Sequence, residues 1–161
     1  MRYIALVLIC GALYFMQAQL LPALFHTNWL PNCILTAVVL VTIFKGRRMG
    51  LIAAVVGGSI HDILISNFFG LHLFPYVVYL LSLVKSSVYE ERWYWSCAII
   101  GVCTILDGIV RCIMISASGG DIQFISYIGH MVMPTVFWNA ILGGIGHKLI
   151  GFMEEKEDYI W

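Results

Sequence analysis

Residues 58–72, "GSIHDILISNFFGLH", set Asp62 beside His61 in the middle of an apolar run and close with two aromatics and Gly70. An ionisable group within a membrane helix is costly and is kept for a reason. What this stretch means therefore depends first on whether the chain has a bilayer for its solvent.

Composition points that way. Of 161 residues, 61% are hydrophobic and 11% charged, and the mean hydropathy is +0.91. A soluble domain carries about 25% charged residues. In water this chain would expose far more apolar surface than a monomer tolerates. A net charge of zero gives no electrostatic surface for nucleic acid. The length suits one domain, 1–161. The fold class expected is an all-α polytopic membrane protein, because unclosed strands would leave backbone groups unpaired in lipid.

Measured against a hydrocarbon core of roughly 20 helical residues, the sequence predicts a bundle of six transmembrane helices. They cover about 3–24, 30–44, 49–66, 71–88, 94–116 and 125–153. Arg2, Lys45, Arg47, Arg48, Lys85, Arg92, Lys148 and Lys156 then fall on one side, and Arg111 alone lies within a span. Both termini are expected in the cytoplasm. Trp29 on the outer side, and Tyr89, Trp93 and Trp95 on the inner side, suit interfacial belts. "MQAQLLPALF" offers no small-residue cleavage site, so the first helix is expected to stay uncleaved.

Catalytic and metal signatures are missing from the sequence. Five cysteines show no CxxC and no zinc-type spacing with His. They suit small apolar fillers. No Ser-centred elbow, HExxH or phosphate-cradling loop occurs. The expectation is a non-enzyme with no catalytic, metal or cofactor-binding residues. Ala53/Gly57, Ala54/Gly58 and Ala140/Gly144 are small-xxx-small pairs that let helices approach closely.

The ionisable residues inside the spans say more. At 1.5 Å per residue, Asp62 lies roughly 6 Å from the outer end of the third span. Asp107 and Arg111 lie about nine and about five residues from the outer end of the fifth, and His130 about five residues into the sixth. Together they form one polar layer in the outer half of the membrane. Asp107 and Arg111 have the favourable i, i+4 order for an ion pair. Asp62 is expected to meet Arg111 or His130 across the bundle. His61 is expected against a neighbouring helix or the outer loop, His72 at the interface, and His147 near the cytoplasmic exit. Pro134 removes a donor and crowds the carbonyl of His130, so the last helix should bend there, with Thr135 or a neighbouring helix answering the freed carbonyl. Asn139 should face the bundle and hydrogen-bond across it.

A run of small residues leading to "HDILISNFFG", with Asp62, Ser66 and Gly70, resembles the third-helix signature of the rod shape-determining MreD family. "NWLPN" opens the second span where that family has a proline. "TILDGIV" puts Asp107 at the family's acidic position in the fifth helix. "MPTVFWN" matches its Pro-Thr-x-x-x-Asn on Pro134, Thr135 and Asn139. The departures are His61, the bulky Phe68 and Phe69, and Arg111. The resemblance spans nearly the whole chain. It implies a component of the bacterial elongation machinery, located in the cytoplasmic membrane with MreC and the MreB filaments, beside RodA and its transpeptidase partner. That component couples the cytoskeleton to lateral peptidoglycan synthesis. Self-association through helix flanks stays open. A rival class is the substrate-binding membrane subunit of an energy-coupling-factor vitamin transporter. That role would need a concave pocket with convergent polar groups and a lid.

Overall fold

The computed structural model describes residues 2–25, 31–64, 70–82, 92–120 and 123–158. All secondary structure among them is helical. The first stretch is α1 (Arg2–Phe15), a π turn (Met16–Leu20) and α2 (Leu21–Phe25). Next come α3 (Cys33–Leu64), α4 (Leu73–Ser82) and α5 (Trp93–Ala117). The last stretch is α6 (Phe124–Tyr127), a second π turn (Ile128–Val132) and α7 (Met133–Asp158).

Helix α3 is two helices joined end to end. Gly46 breaks it with φ 82° and ψ 170°, a backbone conformation open to glycine and costly for any residue with a Cβ. The two halves fold back on each other, so that Gly50 lies against Thr42 and Gly57 against Ile34 and Val38. These halves correspond to the second and third stretches expected from sequence. A Cβ at Gly58 would lie 2.7 Å from the Leu73 Cα, so α4 crosses the end of α3 at backbone-contact range. Ala53, Ala54, Gly57 and Gly58 are all buried, which accounts for the small-xxx-small spacing there.

Helices α5 and α7 run antiparallel. Gly108 faces Val132, Gly143 faces Ile100, and Gly144 faces Cys97. Helix α7 lies parallel to the first half of α3, with Asn139 beside Asn32 and His147 beside Phe44. The core formed between them holds Ile34, Val38, Ile43, Tyr76, Ile100 and Cys103. This packing gathers Lys45, Arg47, Arg48, Arg92 and Lys148 at one end, around the Phe44–His147 and Ser96–His147 contacts.

Among the described residues, two helices are long and apolar enough to cross a membrane: Trp93–Ala117, with 25 residues and a hydropathy of 2.1, and Phe124–Phe152, with 29 residues and 1.3. Where a bend was expected at Pro134, the helix carries a π turn that ends two residues before the proline, closed by the Met133 N–H on the Ile128 carbonyl. Pro22 has the same arrangement, with a π turn ending at Leu20 and the Leu21 N–H on the Met16 carbonyl. A widened turn accommodates a residue that lacks its N–H and crowds the preceding carbonyls. Thr135 bonds the Met131 carbonyl at 2.8 Å rather than that of His130. Ser66, Phe68, Phe69, Trp29, Lys85 and Tyr89 lie outside the described residues.

Candidate functional site

Asp62 is fixed in the last turn of α3 and is 2% exposed. Its Oδ2 accepts the Gly70 N–H at 2.8 Å and the Leu73 N–H at 3.1 Å. Its Oδ1 accepts the His72 N–H at 2.9 Å and stands 2.9 Å from His72 Nδ1. The carboxylate therefore closes the turn that leads into α4. The first N–H groups of any helix lack partners within it, and a negative charge near them is favourable. For α4 that charge comes from the neighbouring helix instead of a local capping side chain. Gly70 takes φ 103°, which turns its N–H into this cradle.

The partner expected for Asp62 is corrected here: it is neither Arg111 nor His130. Arg111 turns along its own helix to Asp107, with Nε 3.0 Å from Oδ2 and Nη2 closer still, as the i, i+4 spacing predicts. His130 is exposed and stands 3.1 Å from the Ser126 carbonyl, outside the interior layer. Depth along each helix placed these groups at one level, but it carried no information about which way each side chain turns. His72, expected at the membrane interface, is buried within the protein at 3% exposure, against the Asp62 carboxylate.

Beyond Asp62 the polar groups form a chain. The His61 ring stacks on His72, with centroids 3.9 Å apart and planes 11° from parallel. His61 Nδ1 is 3.2 Å from the Tyr76 hydroxyl. That hydroxyl accepts from Asn32 Nδ2 at 2.8 Å. Asn32 caps α3, its Oδ1 accepting the Leu35 N–H at 3.1 Å. The Asn32 N–H donates to Asn139 Oδ1 at 2.7 Å, and Asn139 Nδ2 donates to Thr104 Oγ1 at 2.8 Å. Thr104 in turn donates to the Ile100 carbonyl at 2.8 Å. Asn139 thus faces the interior and bonds across it, as expected. Thr135 and the adjacent Pro134 lie beside the π turn instead, with Thr135 bonded to the Met131 carbonyl.

The network draws on both halves of α3, on α4, α5 and α7. Buried groups satisfied in this way hold helices in one register, since an unmade bond in an apolar interior is expensive. Two buried atoms among the described residues depart from the pattern, Gln17 Oε1 and Asp107 Oδ1. Asp107 is fully buried, and its Oδ1 has no hydrogen-bond partner among the described residues.

Asn32, Tyr76 and Thr104 are the members that sequence reasoning passed over. Asn32 had a usable signal, because it follows a proline and precedes an apolar helical run as an N-cap does. Tyr76 lies one turn beyond His72, the residue that precedes α4. Far from this network, Ser96 Oγ and His147 Nδ1 are 2.7 Å apart, so His147 is buried at the basic end of the bundle.

No group of three or more His, Cys, Asp or Glu side chains among the described residues is arranged to hold a metal ion. Comparison with protein-family models, with curated proteins and with solved structures finds no match.

Proposed function

We propose that this chain is a six-span component of a bacterial rod-shape-determining elongation complex, of the kind the MreD resemblance implies. It sits in the cytoplasmic membrane with both termini inside. There it works without catalysis as a membrane scaffold, linking MreC and the MreB filaments to the RodA glycosyltransferase and its transpeptidase partner.

One observation supports this above the others. The four motifs behind the resemblance lie far apart in sequence, yet a single network joins them. "HDILISNFFG" contributes Asp62 and Gly70, and "NWLPN" contributes Asn32, the link between them running through His61, a departure from the family pattern, and Tyr76. "MPTVFWN" contributes Asn139, and "TILDGIV" contributes Thr104, while its acid Asp107 pairs with Arg111 outside the network. Within the first motif, its acid and its closing glycine hydrogen-bond each other. Motifs that meet in space have a joint reason to occur together.

The grouping of Lys45, Arg47, Arg48, Arg92 and Lys148 at one end of the bundle supports the proposed orientation. Against the transporter subunit, the interior polar groups bond one another from Asp62 to Thr104 instead of converging on an open space.

Depletion of the protein in its host, followed by imaging of cell shape and of wall synthesis, tests the proposal. Rounded cells with dispersed lateral synthesis are expected. Normal rods with a vitamin requirement would replace it with the transporter role.

A further inference from the structure

Between α5 and α7 runs a groove of about 410 Å³. Trp93 and Cys97 line it from α5, and Phe137, Ala140, Gly144 and Lys148 from α7. Its depth depends on Gly144: a Cβ there would stand 3.1 Å from Cys97 Sγ and 3.6 Å from the Trp93 ring. The lining is apolar along its length and carries one charge, at the end where the basic residues gather. There Lys148 Nζ lies over the Trp93 ring, 5.2 Å from its centroid. Among the described residues Lys148 meets no carboxylate.

We infer that this groove holds one acyl chain of an anionic phospholipid, with the lipid phosphate on Lys148 and the Trp93 indole. Charge complementarity decides between occupants. A second copy of this chain would bring its own Lys148 to the same place, and the two cations would repel. A zwitterionic lipid gains less from an ammonium aimed at its headgroup. An apolar slot between helices that ends in a cation at the membrane surface is the arrangement that anionic headgroups favour. Lysine suits this place because its long stem can follow the apolar wall while the ammonium reaches the interface. The inference rests on the membrane location proposed above, but not on the role in cell shape.

Native mass spectrometry of the detergent-purified full chain tests it, after incubation with phosphatidylglycerol or with phosphatidylcholine. The wild-type chain is expected to retain phosphatidylglycerol over phosphatidylcholine. Lys148→Gln should lower retention of the anionic lipid about fivefold, the effect of one basic residue at an anionic surface, and leave the zwitterionic lipid unchanged. Arg48→Gln, at the same end but outside the groove, should change neither. Gly144→Leu should fill the slot and reduce both. Equal retention of the two lipids by the wild-type chain would overturn the inference, as would a preference that survives Lys148→Gln. A dimer peak abolished by Gly144→Leu would assign the groove to a second copy. A chain that stays in solution without detergent would overturn the membrane location as well, whereas one that needs detergent and ignores lipid charge would sink this inference alone.

Discussion

Two carboxylates are buried to a similar degree, at 2% and 0% exposure, and their surroundings differ. Asp62 spends both oxygens on a neighbouring element: three backbone N–H groups and the His72 ring. Asp107 uses one oxygen for Arg111, four residues along its own helix, and leaves the other without a partner among the described residues. The first carboxylate closes a turn and ties α3 to α4. The second is half of a local pair whose cation reaches outward, the Arg111 side chain being 32% exposed. Burial alone therefore does not rank them; what decides is how many groups lose their partner when the carboxylate is removed.

The largest expected effect comes from Asp62→Ala. It leaves the N–H groups of Gly70, His72 and Leu73 and the His72 ring without their acceptor, and should cost about 3–5 kcal/mol, as loss of one partner from a buried pair does. Thermal unfolding of detergent-extracted protein reads this as a large fall in midpoint and in membrane abundance. Asp62→Asn keeps the shape and part of the bonding, and should cost less, about 1–3 kcal/mol.

Asn139→Leu comes next. It removes the acceptor for the Asn32 N–H and the donor to Thr104, two bonds between helices, and should cost about 1–2 kcal/mol. A cycle with Thr104→Val assigns the part that passes through the second bond; full additivity would mean that bond carries no stability.

Asp107→Asn should cost only about 1 kcal/mol, because the amide keeps an acceptor for Arg111, whose long side chain near the outer end of its helix can reach toward the interface. A loss as large as that of Asp62→Ala would erase the contrast between the two sites. Smallest of all, His130→Ala should stay within about 0.5 kcal/mol, as exposed substitutions away from special features do.

The helices were legible because the apolar windows are long and basic residues punctuate them. The Gly46 break lies between Lys45 and Arg47, where the second connection was expected. Asp62 and Asn139 were legible as interior polar groups from their cost in an apolar run. The partners of Asp62 were not. Three of its hydrogen bonds come from backbone N–H groups, which every residue carries and no side-chain pattern reveals. Arg111 looked available across the bundle, but the same i, i+4 spacing that was read correctly had already committed it to Asp107. The burial of His72 within the protein was not legible either, because it depends on the path of α4 over Gly58.

A pair of double-mutant cycles on thermal stability tests the central claim most directly, that Asp62 is the clasp between α3 and α4. One combines Asp62→Ala with His72→Ala, the other Asp62→Ala with Arg111→Met. The first should show a coupling of about 1 kcal/mol or more, and the second should be additive within about 0.5 kcal/mol, as expected for groups that share no contact. Strong coupling to Arg111 together with additivity for His72 would contradict the claim.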